Sequence, residues 1–216
     1  MRLVSAYYSD HYPFAGFGLF NELIATSDPN DLIPGDVLLV WGGADIYPGL
    51  YSKPASKQSM AGHRPSTRDQ IEWSMMRRAK ELGIPIIGIC RGAQMLCALE
   101  GGYLIQHVTG HGGSHIVETF DGKKFKVNSL HHQMMVPRQA SGEPINHQIV
   151  AQIPRDELRS TVYVDGHEEV DHDQEPEFIY FPDVRGFAIQ WHPEMMAENA
   201  EATQYIKEFI HERLAA

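Results

Sequence analysis

Residues 84–102 read IPIIGICRGAQMLCALEGG. The opening run, IPIIGI, has no polar alternation, so it predicts a strand covered on both faces. Without any linker, the stretch RGAQMLCALEGG (91–102) follows as a helix closed by paired glycines. A buried strand that turns straight into a helix needs a layer packed on each side. The residues before it repeat the pattern: DVLLVWGG (36–43) is an apolar run ending in a Gly pair, and STRDQIEWSMMRRAKELG (66–83) is a helix. Ser66 can cap that helix, Gly83 can end it, and Ile71, Met75, Ala79 and Leu82 recur at helical spacing. Strand, helix, strand, helix predicts an α/β fold, an open, mostly parallel sheet with helices on both faces.

The second half of the chain changes character. SHIVETFDGKKFKV (114–127) carries Asp121-Gly122 between two alternating segments and predicts a small antiparallel hairpin region. HQIVAQI, STVYV, EFIYF and GFAIQW are further short strands, and ENAEATQYIKEFIHERL (198–214) is a closing helix with Ile206, Phe209 and Ile210 on its buried edge. No internal repeat or linker-like stretch divides the 216 residues, so one domain is expected over 1–216.

A formal net charge of -10 argues against nucleic acid as a partner, since phosphate backbones are bound by surplus Lys and Arg. The first residues, MRLVSAYYSDHYPF, lack the apolar core of a signal peptide, and no apolar run reaches bilayer length. Cys90 and Cys97 match neither a redox CxxC nor a zinc ribbon. The expectation is a cytoplasmic protein without membrane or nucleic-acid partners.

In an open parallel sheet, ligands bind beyond the carboxyl ends of the strands. Gly88-Ile89-Cys90-Arg91-Gly92 stands at such an end and has the form of a nucleophile elbow. Cys90 would lie at a helix N-terminus, where the helix dipole, with Arg91 adding its charge, favours thiolate. The Arg91 N–H, which has no helical partner, can face a developing oxyanion. A thiolate nucleophile needs a base, and the base needs an orienting group. His192-Pro193-Glu194 supplies both, read as an i, i+2 pair on one face of a strand end. Cys97 is read as a small core hydrophobe.

GICRGAQ with a downstream QWHPE resembles the class I glutamine amidotransferase superfamily, whose fold is flavodoxin-like. Its members hydrolyse γ-glutamyl amides through a cysteine thioester. WGGADIYPGLY (41–51) and VNSLHHQ (127–133) resemble the γ-glutamyl-γ-aminobutyrate hydrolase branch, although Trp41 stands where that branch usually has Pro. The resemblance implies Cys90 as nucleophile, His192 as base and Glu194 as its orienting group. It implies an oxyanion hole from the N–H groups of Gly43 and Arg91. Gln94, His131, His132 and Gln133 match substrate-side positions, with His132 nearest the ligand.

The activity so implied is hydrolysis of glutamine or a small γ-glutamyl amine, with no cofactor. Two alternatives are a glutaminase subunit delivering ammonia to a separate synthetase chain and a catalytically idle regulatory member of the fold. The oligomeric state is left open, a homodimer included. No metal is expected. His167 and His172 are five apart rather than the four of a zincin helix, and HGGSH (111–115) reads as a glycine-rich loop.

Overall fold

A computed structural model describes residues 1–7, 20, 22–157, 163–164, 168–169 and 174–215. The His167–His172 segment, except the backbone of Glu168 and Glu169, and the start of STVYV lie outside the described residues. In chain order the elements are β1 (Arg2–Ser5), β2 (Glu22–Ala25), β3 (Val37–Val40), α1 (Thr67–Leu82), β4 (Ile86–Ile89), α2 (Arg91–Leu99), β5 (Tyr103–Ile105), β6 (Gly112–Thr119), β7 (Lys124–Leu130), β8 (Met134–Val136) and β9 (Gln148–Gln152). They continue with β10 (Tyr163–Val164), β11 (Glu168–Glu169), β12 (Pro176–Phe181), β13 (Gly186–Ile189) and α3 (Glu201–Ala215).

Nine strands join in one sheet in the order β2-β1-β3-β4-β13-β12-β9-β6-β7. From β2 to β13 the pairs are parallel. From β13 to β7 they are antiparallel. The hairpin expected at Asp121-Gly122 is β6–β7, with Gly122 at φ 83°, and it continues the main sheet as its far edge. β5 pairs with β8, and β10 with β11, in two small accessory sheets. Among the described residues no helix is long and apolar enough to cross a membrane.

The apolar runs of β3, β4 and β13 are buried along their whole length, because helices cover both faces. On one face α1 and α2 bring Met75, Met76, Ala79, Met95 and Leu96 against Val4, Leu38, Val40 and Ile86. On the other, α3 seats Tyr205, Ile206, Phe209 and Ile210 against Leu39, Ile87, Phe178 and Trp191. A buried aliphatic or aromatic side chain of this kind contributes about 1.5–3 kcal/mol.

Helix α1 starts and stops where its sequence predicts. Ser66 Oγ accepts the Asp69 N–H at 3.0 Å and Asp69 Oδ2 accepts the Ser66 N–H at 2.9 Å, a closed capping box. Gly83 ends the helix in the left-handed region, at φ 67°. Its buried side includes Asp69 and Glu72 beside Met75 and Ala79, whereas Ile71 and Leu82 are half-buried. Two carboxylates on a core-facing helix edge require a cationic partner, and the candidate site supplies one.

Candidate active site

The chain leaves β4 and enters α2 through Cys90, which sits at φ 50°, ψ −105°. A side chain rarely occupies that region, and holding it there costs on the order of 1–3 kcal/mol. The turn is over-determined. The Cys90 N–H donates to Ile189 O at 2.7 Å, and its carbonyl accepts the Gln94 N–H at 3.0 Å, the first bond of the helix. Gly88 and Gly92 let the turn close: a Cβ on Gly88 would overlap the Gly92 carbonyl, and one on Gly92 the Val40 carbonyl. Cys90 is only 6% exposed. The arrangement is that of a nucleophile elbow.

His192 and Glu194 meet through a turn rather than along a strand. β13 ends at Ile189, and Pro193–Met195 form a 3-10 turn closed by Met195 N–H to His192 O at 3.1 Å. Pro193 suits the first position of such a turn, where its missing N–H is not needed. The turn brings Glu194 Oε1 to 2.7 Å from His192 Nδ1, leaving Nε2 for Cys90. The i, i+2 pairing was legible, but its expected geometry, an extended strand end, is replaced by this turn. Asn128 of β7 holds the His192 backbone from both sides, donating from Nδ2 to its carbonyl and accepting its N–H, each at 2.8 Å.

Burial pulls the His192 pKa down, but hydrogen bonds and charge attraction to Cys90 and Glu194 outweigh it and raise it to about 10. The imidazolium is therefore favoured at neutral pH. An imidazolium between a thiol and a carboxylate is the partner a cysteine thiolate requires.

Gly42 and Gly43 form the facing wall after β3. The His192 ring lies so close to Gly42 that a Cβ there would come within 2.6 Å of its Cε1. This loop is pinned from below by α1. Arg68 donates to Trp41 O at 3.2 Å and Gly42 O at 3.0 Å, and pairs with Glu72 at 3.0 Å. Glu72 also pairs with Arg91, whose other terminal nitrogen lies 2.6 Å from Asp69 Oδ1. The expectation that Arg91 adds positive charge at Cys90 is corrected here. Its guanidinium is turned onto two buried carboxylates that neutralise it, so the side chain braces the site. Asp69 thus caps α1 with one oxygen and holds Arg91 with the other.

A cavity of about 270 Å³ opens over Cys90, lined by Trp41, Gly42, Gly43, Leu130, His192, Glu194 and Met195. The structure brings Cys90, His192, Glu194 and Gly43 together, with Arg91 N–H at the start of α2 beside them. The expected substrate-side residues are placed differently. Gln94 is buried on α2 and donates to Gln190 Oε1 at 3.3 Å. His131 is buried against Glu177, and Gln133 Nε2 is directed at Gln106 O. His132 is partly exposed and bonds through Nε2 to Asp45 Oδ1 at 2.9 Å, two residues beyond Gly43. That bond, set against the cost of partial burial, raises its pKa.

Asn128, Gly42, Arg68, Asp69 and Glu72 were not singled out by sequence reasoning. Asn128 and Gly42 lie inside segments that were, VNSLHHQ and WGGADIYPGLY. The acidic pair Asp69 and Glu72 carried a signal, a polar interruption on the apolar edge of α1.

Residues 31–194 match the model of the Peptidase C26 family. A relative from Mycobacterium tuberculosis, named "Putative glutamine amidotransferase Rv2859c", is 30% identical over 173 residues. The match covers 73% of this chain and 50% of that protein, so the chain spans about half the length of that relative. Protein NtpR of Enterococcus hirae is 26% identical over 81% of this chain and 73% of its own length. A glutamine amidotransferase from Thermotoga maritima superposes over 100% of this chain and 96% of its own, with a TM-score of 0.55 at 13% identity. One from Methylobacillus flagellatus does so over 91% and 70%, with a TM-score of 0.54 at 15% identity. Strand order and site geometry fit the same conclusion: the chain belongs to the Peptidase C26 family of the class I glutamine amidotransferase superfamily.

Proposed function

We propose that this protein hydrolyses the γ-glutamyl amide bond of small γ-glutamyl amines or glutamine, through a glutamyl thioester on Cys90. The observation that carries the reading is the strained elbow of Cys90, facing an imidazole that Glu194 holds at 2.7 Å. Such strain persists where a function uses it. The resemblance of GICRGAQ and VNSLHHQ to γ-glutamyl-γ-aminobutyrate hydrolases supports the γ-glutamyl group as the acyl part.

With the proton already held on His192, the Cys90 sulfur attacks the γ-carbonyl carbon. The oxyanion is received by the N–H groups of Gly43 and Arg91, each such donor contributing roughly 3–4 kcal/mol in the transition state. The imidazolium passes its proton to the departing amine nitrogen as the C–N bond breaks, leaving the thioester. His192 then takes a proton from water, whose oxygen attacks the same carbon. Collapse expels the Cys90 sulfur, the proton taken from water stays on His192, and glutamate leaves. Glu194 keeps Nδ1 protonated and Nε2 turned to the sulfur throughout.

The test is glutamate release from glutamine, γ-glutamyl-aminobutyrate and other γ-glutamyl amines, with Cys90→Ala as control. Turnover of γ-glutamyl amines that vanishes in the variant is the expected result. Silence on every substrate, with Cys90 still alkylated by a glutamine-like electrophile, would point instead to a glutaminase that acts with a synthetase chain. An inert Cys90 would leave an idle member of the fold.

A further inference from the structure

Behind the site, the fold assembles a second group of titratable side chains that the proposed chemistry does not use. His111, at the start of β6, His115 within it, His131 after β7, and Glu175 and Glu177 at β12 are all buried, the two carboxylates at 0% exposure. HGGSH, expected as a loop, thus carries its two histidines into the interior, its residues from Gly112 on belonging to β6.

Three imidazole nitrogens converge on one oxygen. His131 Nε2 lies 3.1 Å from Glu177 Oε1, His111 Nδ1 3.3 Å and His115 Nε2 3.3 Å. His131 makes a hydrogen bond with that oxygen, whereas His115 Nε2 and Glu177 Oε2, both buried, make none among the described residues. His131 is the most informative. Its Nδ1 lies 2.9 Å from Gln133 O, a group that only accepts, so Nδ1 carries the proton. Its Nε2 then faces a carboxylate oxygen at 3.1 Å, a contact that is satisfied either by a proton or by a metal cation between the two atoms.

We infer that His111, His131 and Glu177 bind a divalent transition metal of the zinc class, with His115 packed beside the same carboxylate. The donor set, imidazoles with one carboxylate, suits such an ion better than calcium or magnesium. The separations of 3.1 and 3.3 Å from Glu177 Oε1 to His131 Nε2 and His111 Nδ1 match the ligand-to-ligand edge, about 3.3 Å, of a tetrahedron with bonds of about 2.0–2.1 Å. The candidate ligand atoms of His111, His131 and Glu177 all lie within 4.8 Å of one another. The outer shell is also present. His131 Nδ1–H donates to a carbonyl, and His111 turns Nε2 toward Glu175 Oε2 at 3.6 Å, the orienting contacts that metal-bound imidazoles make. The ion would tie β6, the β7–β8 connection and β12 together. This inference stands apart from the hydrolase reading and rests on other residues.

The experiment uses the full chain without a histidine tag, dialysed against chelator and then titrated with zinc or cobalt chloride. The expected result is one equivalent retained through desalting, a raised Tm, and intense cobalt ligand-field bands of tetrahedral type. X-ray absorption of the zinc form should show the outer-shell scattering of imidazole ligands. Glu177→Gln and His111→Asn should weaken binding by more than the roughly 10–100-fold that loss of an outer partner costs. His167→Ala/His172→Ala, which removes the other histidine-rich segment, should keep the metal. No retained metal, a shell without imidazole, or loss of binding only in the His167/His172 variant would overturn the inference. The cluster would then be balanced by imidazolium protons. Should Glu177→Gln fail to fold, the absorption spectrum of the unsubstituted protein decides.

Discussion

At the scale of single residues, His192 is the group whose state the rest of the site sets. Its pKa is raised to about 10 on folding, from 6.5, so the folded protein keeps a proton that the unfolded chain releases above about pH 6.5. The stability it contributes is full below pH 6.5, declines as pH rises, and is lost above about 10. Part of the rise comes from Cys90, through both a hydrogen bond and charge. NMR of the His192 ring should therefore show an imidazolium well above pH 7, and Cys90→Ala should move its titration downward. An unchanged titration in that variant would detach Cys90 from His192. Glu194→Gln tests the other contact. A neutral amide can present a donor to Nδ1 and favour the wrong tautomer, and kcat should fall by about 10²–10⁴-fold, with Tm lowered as well because the contact that raises the His192 pKa is lost. Cys90, His192 and Glu194 were legible from sequence because each belongs to a short local motif whose chemistry is carried by adjacent residues.

At the scale of elements, α1 serves as a brace as well as a layer. Glu72 binds Arg68, which grips the Trp41 and Gly42 carbonyls, and it binds Arg91 at the start of α2. One carboxylate thus connects the two backbone segments whose N–H groups would receive the oxyanion. Glu72→Gln takes one balancing charge from the buried Arg91 and the half-buried Arg68, and removing one partner of a buried pair costs about 3–5 kcal/mol. The expected outcome is a lowered Tm and a fall in kcat larger than any change in KM, measured at a temperature where the variant is folded. Equal loss in both parameters would show that Glu72 supports binding rather than the oxyanion segments. Gly92→Ala probes the same junction from inside. Its Cβ would meet the Val40 carbonyl, so β3 and α2 must separate. Overpacking of this kind costs typically 1–3 kcal/mol, and chemical denaturation should read it. The helix ends at Ser66 and Gly83 were readable because caps act locally. The brace was not, since the polar interruption at Asp69 and Glu72 does not name its partners until Arg91 and Arg68 are folded onto it.

At the scale of the whole molecule, the antiparallel half of the sheet has a consequence that linear patterning could not show. β7 lies at the outer edge, four places from β13 in strand order, yet its Asn128 bonds twice to the His192 backbone just beyond β13. The strands from β12 to β7 must curl round until the edge returns to the turn carrying the base. Strand twist accumulates in one direction, and antiparallel strands joined by short connections can follow it. A hairpin was legible at Asp121-Gly122, but its place depends on which strands intervene, and no local motif encodes that. Curling also explains why VNSLHHQ matters at its first half. Asn128 reaches His192, whereas His131 turns to Glu177. Asn128→Ala should remove both hydrogen bonds at once, at a cost of about 1–3 kcal/mol if the freed backbone groups stay buried. The turn that presents His192 should then lose its orientation, and kcat should fall while Cys90 remains open to alkylation. Asn128→Asp keeps the acceptor for the His192 N–H and loses only the donor to its carbonyl. It should fall between the two. A variant as active as the unsubstituted protein would mean that Glu194 and the Pro193 turn position the base unaided, and that the curl of the sheet serves the core alone.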